Sequence, residues 1–377
     1  ACNRAAFASQ LPVMITRRDL LKTAASAAMA SPLLARPSIA AAAQAGAAPA
    51  TPNPRGPLGL GASAAGFGSR TRANRAATPP VDWIDYCYRM GYGGAETREP
   101  PTDPAEIAAL RKKLDAYHMR VVFDFPLPKT DADVPRYDAL VKASKDVGAI
   151  GLRAALTQRR YEAFDTFDAF KASFEENKAM VARAEPVLRK HKIALALENH
   201  KGWRSAEQAA WLKGLGSEYV GVLFDFGNNI SLCEDPMETL DNLLPLVHMC
   251  HIKDMAVAPY EDGFLLSEVP LGDGFLDIRG MVAKLRQKDA NMPFDLEMIT
   301  RDPLKIPIFT DKYWVTFDDT YSPLPGRDVA HVLKLVRDNP PKAPLPKTTG
   351  LSAEAHLALE DRNNQVSLEW ARKNLNL

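Results

Sequence analysis

Four side chains stand out because each closes a short apolar run: Glu198 after Leu195-Ala196-Leu197, Asp225 after Val222-Leu223-Phe224, His251 after Met249-Cys250, and Glu297 after Phe294-Asp295-Leu296. The steps between them are 27, 26 and 46 residues, the first two each the length of one strand-plus-helix unit. Two glutamates, an aspartate and an imidazole brought to one place would repel one another without a cation. An oxygen-rich set with one nitrogen suits a single divalent ion, Mn²⁺ first, with Mg²⁺, Co²⁺ or Zn²⁺ as alternatives. One such carboxylate is as often half of a structural ion pair. Four at matching strand ends favour a shared site. His248 lies three residues before His251, so on a strand it faces the other side, toward the helices or the core.

Further polar residues close or follow the other runs. Glu96 and Arg98 end the second, Asp124 ends the third, and Arg153 lies in the fourth. His200, two past Glu198 and on the same face if the strand continues, is an extra acid/base or substrate contact. Lys253 either polarises a substrate oxygen or pairs with a carboxylate, and Asp254 stands beside it. Glu268, before Pro270-Leu271-Gly272-Asp273-Gly274, either touches substrate or pins its loop. Trp203, Tyr313, Trp314, Phe317 and Tyr321 fall outside helical spacing. They either stack on the flat apolar face of a ligand or anchor long loops.

The elements that must position these groups alternate. Strand-like runs at 58–62, 93–97, 120–125, 150–154, 193–198, 220–226, 247–253 and 294–299 are separated by amphipathic stretches. Those stretches include 103–117, 167–190, 205–215, 236–244, 278–288 and 327–338. Asp103 before Pro104, and Ser205 before Ala206-Glu207-Gln208, read as helix caps. Eight such units predict an α/β fold, the (β/α)8 TIM barrel, with the active site at the C-terminal strand ends. A doubly wound sheet would carry a glycine-rich phosphate turn after its first strand, and Leu60-Gly61-Ala62-Ser63 is not one. The step of 46 residues leaves room for a long seventh loop. Past Pro340 a Pro/Lys linker leads to a helix near 352–374, an extension packing on the barrel or on a second subunit of a homo-oligomer.

The chain has 377 residues, with 47 basic against 46 acidic. That balance excludes a broadly basic nucleic-acid binder. Four cysteines without metal-ligand spacing make no disulfide framework. Residues 1–50 form a separate segment. Arg17-Arg18-Asp19-Leu20-Leu21 followed by an Ala-rich apolar run resembles a twin-arginine export signal, with Met14 as the expected initiator and cleavage between 41 and 50. The run is too short and too interrupted to span a membrane, so no stable insertion is expected after cleavage. Residues 51–340 are the expected barrel and 341–377 the linker and helix. Without the first fifty residues, 42 basic face 45 acidic residues. Export would place the protein in the periplasm.

Glu198-Asn199-His200, Asp225-x-x-Asn228, His251-x-Lys253-Asp254 and Glu297 resemble the xylose isomerase-like TIM barrels, the sugar phosphate isomerase/epimerase group. The resemblance implies that Glu198, Asp225, His251 and Glu297 hold a metal and that Glu198 and Glu297 double as the acid/base pair. It also implies a small carbohydrate substrate. Ketose 3-epimerases carry a histidine three residues after the aspartate and an arginine six after the histidine ligand, where this chain has Asn228 and Val257. The expected activity is a metal-dependent isomerisation or epimerisation through a cis-enediolate, with His200 assisting and Glu96, Arg153, Lys253, Asp254, Glu268 and Trp203 contacting substrate. The same intermediate would serve a lyase or dehydratase acting on 3-keto-glycosides or inososes. An endonuclease IV-like phosphodiesterase would need more histidines and a basic surface. A non-catalytic carbohydrate-binding barrel would not need both glutamates.

Overall fold

The computed structural model describes residues 53–377, so the expected signal and Met14 lie outside the described residues. Eight parallel strands close into a barrel: β1 (Gly61–Ser63), β2 (Gly94–Thr97), β3 (Arg120–Asp124), β4 (Gly151–Ala154), β5 (Leu195–Glu198), β6 (Val220–Asp225), β7 (Val247–Ile252) and β10 (Phe294–Leu296). Two further strands, β8 (Asp254–Tyr260) and β9 (Gly263–Val269), form an antiparallel hairpin between β7 and β10, and β11 (Leu304–Ile306) joins its edge. The long step before Glu297 is therefore a small sheet standing beside the barrel mouth. It carries its own apolar cluster, shared with Val332 and Val336 of helix Gly326–Asp338. Among the described residues no helix is long and apolar enough to cross a membrane.

Strand alternation sorts the barrel interior into layers. At the bottom, Arg120 forms a buried pair with Asp295 at 2.5 Å and donates to the carbonyls of Pro57 (2.6 Å), Gly59 (2.7 Å) and Phe294 (2.6 Å). The pair needs the space left by glycine. A Cβ at Gly61 would lie 1.8 Å from Asp295 Oδ1, and one at Gly94 2.5 Å from Arg120 Cγ. Above it, Val122, Ala196, Leu223 and Met249 make an apolar plug. Two residues further along the same strands stand Asp124, Glu198, Asp225 and His251, the groups of interest.

Some boundaries differ from expectation. The first strand starts at Gly61 because Gly56–Leu58 close a 3-10 turn around Pro57. Asp103 caps its helix as expected, accepting from Ala105 and Glu106 N–H. Ser205 does not cap. It is the first helical residue, and its N–H and hydroxyl both donate to Glu234 (2.8 and 2.7 Å), while the Glu207 carboxylate takes the Arg204 N–H at 2.8 Å. Helix Gly326–Asp338 leans on the hairpin sheet, whereas the terminal helix Ala353–Leu375 packs on β10 and on helix Ile278–Lys288. That terminal helix also reaches the segment after β1, where Asn364 donates to the Gly66 carbonyl at 3.0 Å. Its Glu360 accepts the Ser69 and Arg70 N–H groups (2.9 and 2.7 Å) at the start of helix Gly68–Ala76.

Candidate metal centre

Glu198, Asp225, His251 and Glu297 each offer one donor atom, and these atoms all lie within 4.8 Å of one another, every side chain buried. The set is brought together by register: Asp225 pairs directly with His251 across β6 and β7, and His251 with Asp295 across β7 and β10, two residues below Glu297.

Around the set most neighbouring side chains are already engaged with its carboxylates or its imidazole. The Arg153 guanidinium reaches Asp124 at 2.6 Å, Glu96 at 3.8 Å, and Glu198. Asn228 donates to Glu198 Oε1 (3.3 Å) and to Asp225. The Lys253 ammonium lies 2.8 Å from Asp225 Oδ2 and 2.7 Å from Glu297 Oε2. Asn199 clasps the Asp225 backbone, its Oδ1 accepting from the Asp225 N–H at 2.5 Å and its Nδ2 donating to the Asp225 carbonyl at 3.1 Å. His251 Nε2 donates to Glu96 Oε2 at 2.7 Å, and Glu96 Oε1 accepts from the Ser63 hydroxyl at 2.9 Å. This chain fixes the ring so that Nδ1 turns toward the other three residues, the usual way a carboxylate orients a metal-binding imidazole.

Two buried atoms in the set have no hydrogen-bond partner: Asp225 Oδ1 and His251 Nδ1. Nδ1 lies 3.4 Å from Glu297 Oε1 without being aimed at it as a hydrogen bond. Orphaned buried polar atoms are costly, and a cation shared by both would satisfy them. Charge points the same way. With Asp225 ionised and His251 neutral, as metal ligation requires, six carboxylates (Glu96, Asp124, Glu198, Asp225, Glu268, Glu297) face four cations (Arg153, Lys201, Lys253, Arg301), an excess of two negative charges that one divalent ion would cancel. The residues present therefore fit a divalent metal.

The protonation pattern follows from burial against partner. Burial opposes ionisation of Glu198, but Arg153 outweighs it and holds that carboxyl at about 2. Burial likewise opposes ionisation of Glu297, and Lys253 and His251 outweigh it, so its pKa falls well below the usual range. Asp225 goes the other way. Its complete burial wins over Lys253 and raises it well above the usual range. Burial lowers His200 to about 4, and its Nδ1–H donates to the Thr157 carbonyl at 2.7 Å, so the ring is neutral at pH 7. Burial, then Lys253, lowers Lys201 to about 8.

Not every expected substrate contact faces the site. Asp254 spends its carboxylate on backbone N–H groups of Met255, Gly272 and Gly274 (2.9 Å each) and Leu276 (3.2 Å), so it pins the loop after β9. Glu268 is buried in a pair with Arg301, whose Nε lies 3.1 Å away. The Trp203 ring is only 2% exposed, packed between Phe174 (5.1 Å) and Trp211 (4.9 Å), and has no free face for a sugar. Tyr313 is likewise core, while Trp314 and Tyr321 stay partly open. His248 points away from the site and fills the space beside Gly221. The residues that sequence reasoning missed are those acting through others: Ser63, Glu96 as partner of His251 rather than of substrate, and Asn199. The signal for Ser63 was alternation, since it lies two past the inward-facing Gly61.

A profile for the xylose isomerase-like TIM barrel matches residues 84–313, more than half of the chain. The chain belongs to this family. It is 28% identical over 124 residues to a 3-oxo-isoapionate decarboxylase of Pectobacterium atrosepticum, covering 32% of this chain and 45% of that protein. It is 26% identical over 93 residues to the uncharacterized protein YihM of Escherichia coli, covering 25% of this chain and 28% of that one. The chain thus spans less than half the length of these curated relatives. Among solved structures, a D-psicose 3-epimerase crystallised in the presence of D-fructose shares the fold at a TM-score of 0.50 and 14% identity, over 78% of this chain and 93% of that one.

Proposed function

We propose that this protein is a divalent-metal-dependent sugar isomerase or epimerase, moving a proton beside a carbonyl of a free sugar or keto-sugar. The observation that carries this reading is the buried Glu198–Asp225–His251–Glu297 set with its two unpartnered atoms. A bound divalent ion, Mn²⁺ first, would supply Lewis acidity toward the carbonyl oxygen and an adjacent hydroxyl. Glu198 and Glu297, both ionised, stand on β5 and just past β10 as the proton acceptors. Arg153 and Asn228 keep Glu198 oriented, and Lys253 keeps Glu297 oriented. The neutral His200 ring, its Nδ1–H spent on Thr157, presents Nε2 as a further site where a hydroxyl proton can rest. Delivering a proton to the opposite face of the same carbon gives the epimer, and to the former carbonyl carbon the isomer.

A lyase is the second reading. It is favoured by Asn228 and Val257, which depart from the ketose 3-epimerase pattern, and by the likeness to a decarboxylase. Loss of a leaving group or of carbon dioxide next to the same carbonyl would use the same carboxylates. Incubation of keto-sugars and 3-keto-glycosides in D₂O separates the readings. Deuterium at a carbon next to the carbonyl with no fragment released supports the isomerase, and a released fragment supports the lyase. Glu297→Gln should lower turnover by about two to four orders of magnitude, the usual worth of a general base. Near-wild-type turnover of that variant overturns the acid/base role. We also infer periplasmic export through the Arg17-Arg18 segment. Lysine replacement of both arginines should hold the protein in the cytoplasm, and unchanged export would refute it.

A further inference from the structure

Beside the metal set, on the side of β1 to β4, opens a cavity of about 380 Å³. That is within the usual size of a small-molecule site. Glu96, Asp124 and Arg153 bound it toward the barrel axis, so it shares a wall with the candidate centre. Its outer wall carries Asn74, Arg75 and Arg98, together with the Trp83 indole. The indole is fixed by its Nε1–H on the Glu96 carbonyl at 2.9 Å and presents a flat apolar wall.

One donor of the outer wall is buried without an acceptor, and the two guanidinium groups beside it are exposed to solvent. Asn74 is 5% exposed and its Nδ2 has no partner. Arg75 spends only Nε, on the Thr71 carbonyl of its own helix at 3.2 Å, which leaves both terminal nitrogens free. Arg98 makes no ion pair among the described residues. Neither carboxylate of the cavity bonds to these groups: Glu96 is bonded to Ser63 and His251, and Asp124 to Arg153.

We propose that this cavity is an anion subsite and that the substrate is a sugar acid, its carboxylate held by Arg75, Arg98 and Asn74 while its carbonyl end faces the metal set. The proposal rests on the reaction read above and names its substrate class. Guanidinium forks match a planar carboxylate in bidentate fashion. A phosphate ester fits less well, because the backbone N–H groups at the nearest helix start, Ser69 and Arg70, already bind Glu360.

Calorimetric titration of D-glucuronate, D-glucose and D-glucose 6-phosphate into the full chain, with and without Mn²⁺, tests it. Glucuronate should bind at least about tenfold more tightly than glucose, the worth of one charge-assisted hydrogen-bonded pair. Arg98→Ala and Arg75→Ala should each lose about tenfold for glucuronate, less at high salt, with glucose unchanged. Arg98→Lys should recover part of the loss. Equal affinity for glucuronate and glucose, tighter binding of the phosphate ester, no glucuronate binding at millimolar concentration, or unchanged alanine variants would each overturn the proposal. Metal content is read on the same samples. Glucuronate discrimination without metal uptake defeats the proposed reaction alone, and metal uptake without discrimination defeats the subsite alone.

Discussion

The Ser63–Glu96–His251 chain makes a quantitative demand on metal affinity. Glu96 holds the His251 Nε2–H at 2.7 Å, which leaves Nδ1 as the nitrogen facing Glu297 and the other donors. Glu96→Gln can keep that geometry, its amide oxygen accepting from His251 and its NH₂ turned to the Ser63 hydroxyl, yet it loses the charge that makes the imidazole a stronger donor. Removing such an orienting partner typically costs 10–100-fold in metal affinity, about 1.4–2.7 kcal/mol. Glu96→Gln should fall near the lower figure and Glu96→Ala, which frees the ring to turn, near the upper. Both effects could arise merely from deleting a negative charge near the ion, so the control is Asp124→Asn. Asp124 belongs to the same charge set through Arg153 but does not touch His251, and its loss should change affinity by less than about threefold, as for a screened, partly exposed charge. Competition of Mn²⁺ between the protein and a chelating dye measures all four proteins, with circular dichroism as the check on folding. The reasoning fails if Glu96→Ala binds Mn²⁺ as tightly as the wild type, or if Asp124→Asn weakens binding as much as Glu96→Ala does.

Other consequences follow from the same geometry. Lys253→Met removes the cation between Asp225 and Glu297 and should destabilise the metal-free protein by about 3–5 kcal/mol, the cost of breaking a buried pair. Added Mn²⁺ should restore more stability to that variant than to the wild type in urea denaturation, and equal restoration would count against Lys253 as the stand-in charge. Burial opposes a charged His251, but Glu96 and Glu297 outweigh it and hold the ring protonated above its usual range. The proton must leave for Nδ1 to donate, so Mn²⁺ affinity should rise from about pH 6 to about pH 8, by up to about tenfold per unit. A flat or falling profile in buffered titrations excludes that linkage. At the barrel bottom, Arg120→Met should cost about 3–5 kcal/mol by stranding Asp295, and adding Asp295→Leu should regain most of it. If the double variant is no more stable than the single one, the pair contributes more than mutual neutralisation.

The four donors were legible because a strand has a period of two and a barrel gathers its strand ends. Glu198, Asp225, His251 and Glu297 needed only those two facts, and the outward direction of His248 followed from the same parity. Residues whose role depends on a neighbour far along the chain were not legible. Glu96 and His251 are 155 residues apart, and nothing local to either says that one orients the other. Glu268 and Arg301 meet only because β9 and β11 form a sheet outside the barrel, where the sequence showed a long loop. Trp203 read as a sugar platform because loop aromatics often are, but Phe174 and Trp211 enclose its ring. The helix covering β10 was also displaced. The stretch after β11 has a clear apolar face, but the hairpin sheet takes that face, and the barrel is covered by the terminal helix instead.

The mouth divides into two halves with separate duties. The later strands, β5, β6, β7 and β10, bring the four donors. The earlier ones, β1 to β4, bring Ser63, Glu96, Asp124 and Arg153, which are not donors themselves: Arg153 bonds to Glu198 and Glu96 to His251, while Asp124 holds Arg153 and Ser63 holds Glu96. The cavity with Asn74, Arg75 and Arg98 lies against this earlier half. Any substrate group seated there therefore presses on the residues that set the orientation of His251 and the ionisation of Glu198. Binding at the cavity and affinity for the ion should consequently be coupled, and reciprocally so, because linkage allows no one-way coupling between two equilibria. Glucuronate at saturation should shift the Mn²⁺ dissociation constant, and Mn²⁺ should shift that of glucuronate by the same factor. Because both ligands engage opposite ends of the Arg153 and Glu96 network, Arg153→Met should remove the coupling even where it leaves some affinity for each. Independent binding of the two in the wild type would mean that the two halves share a wall and nothing more.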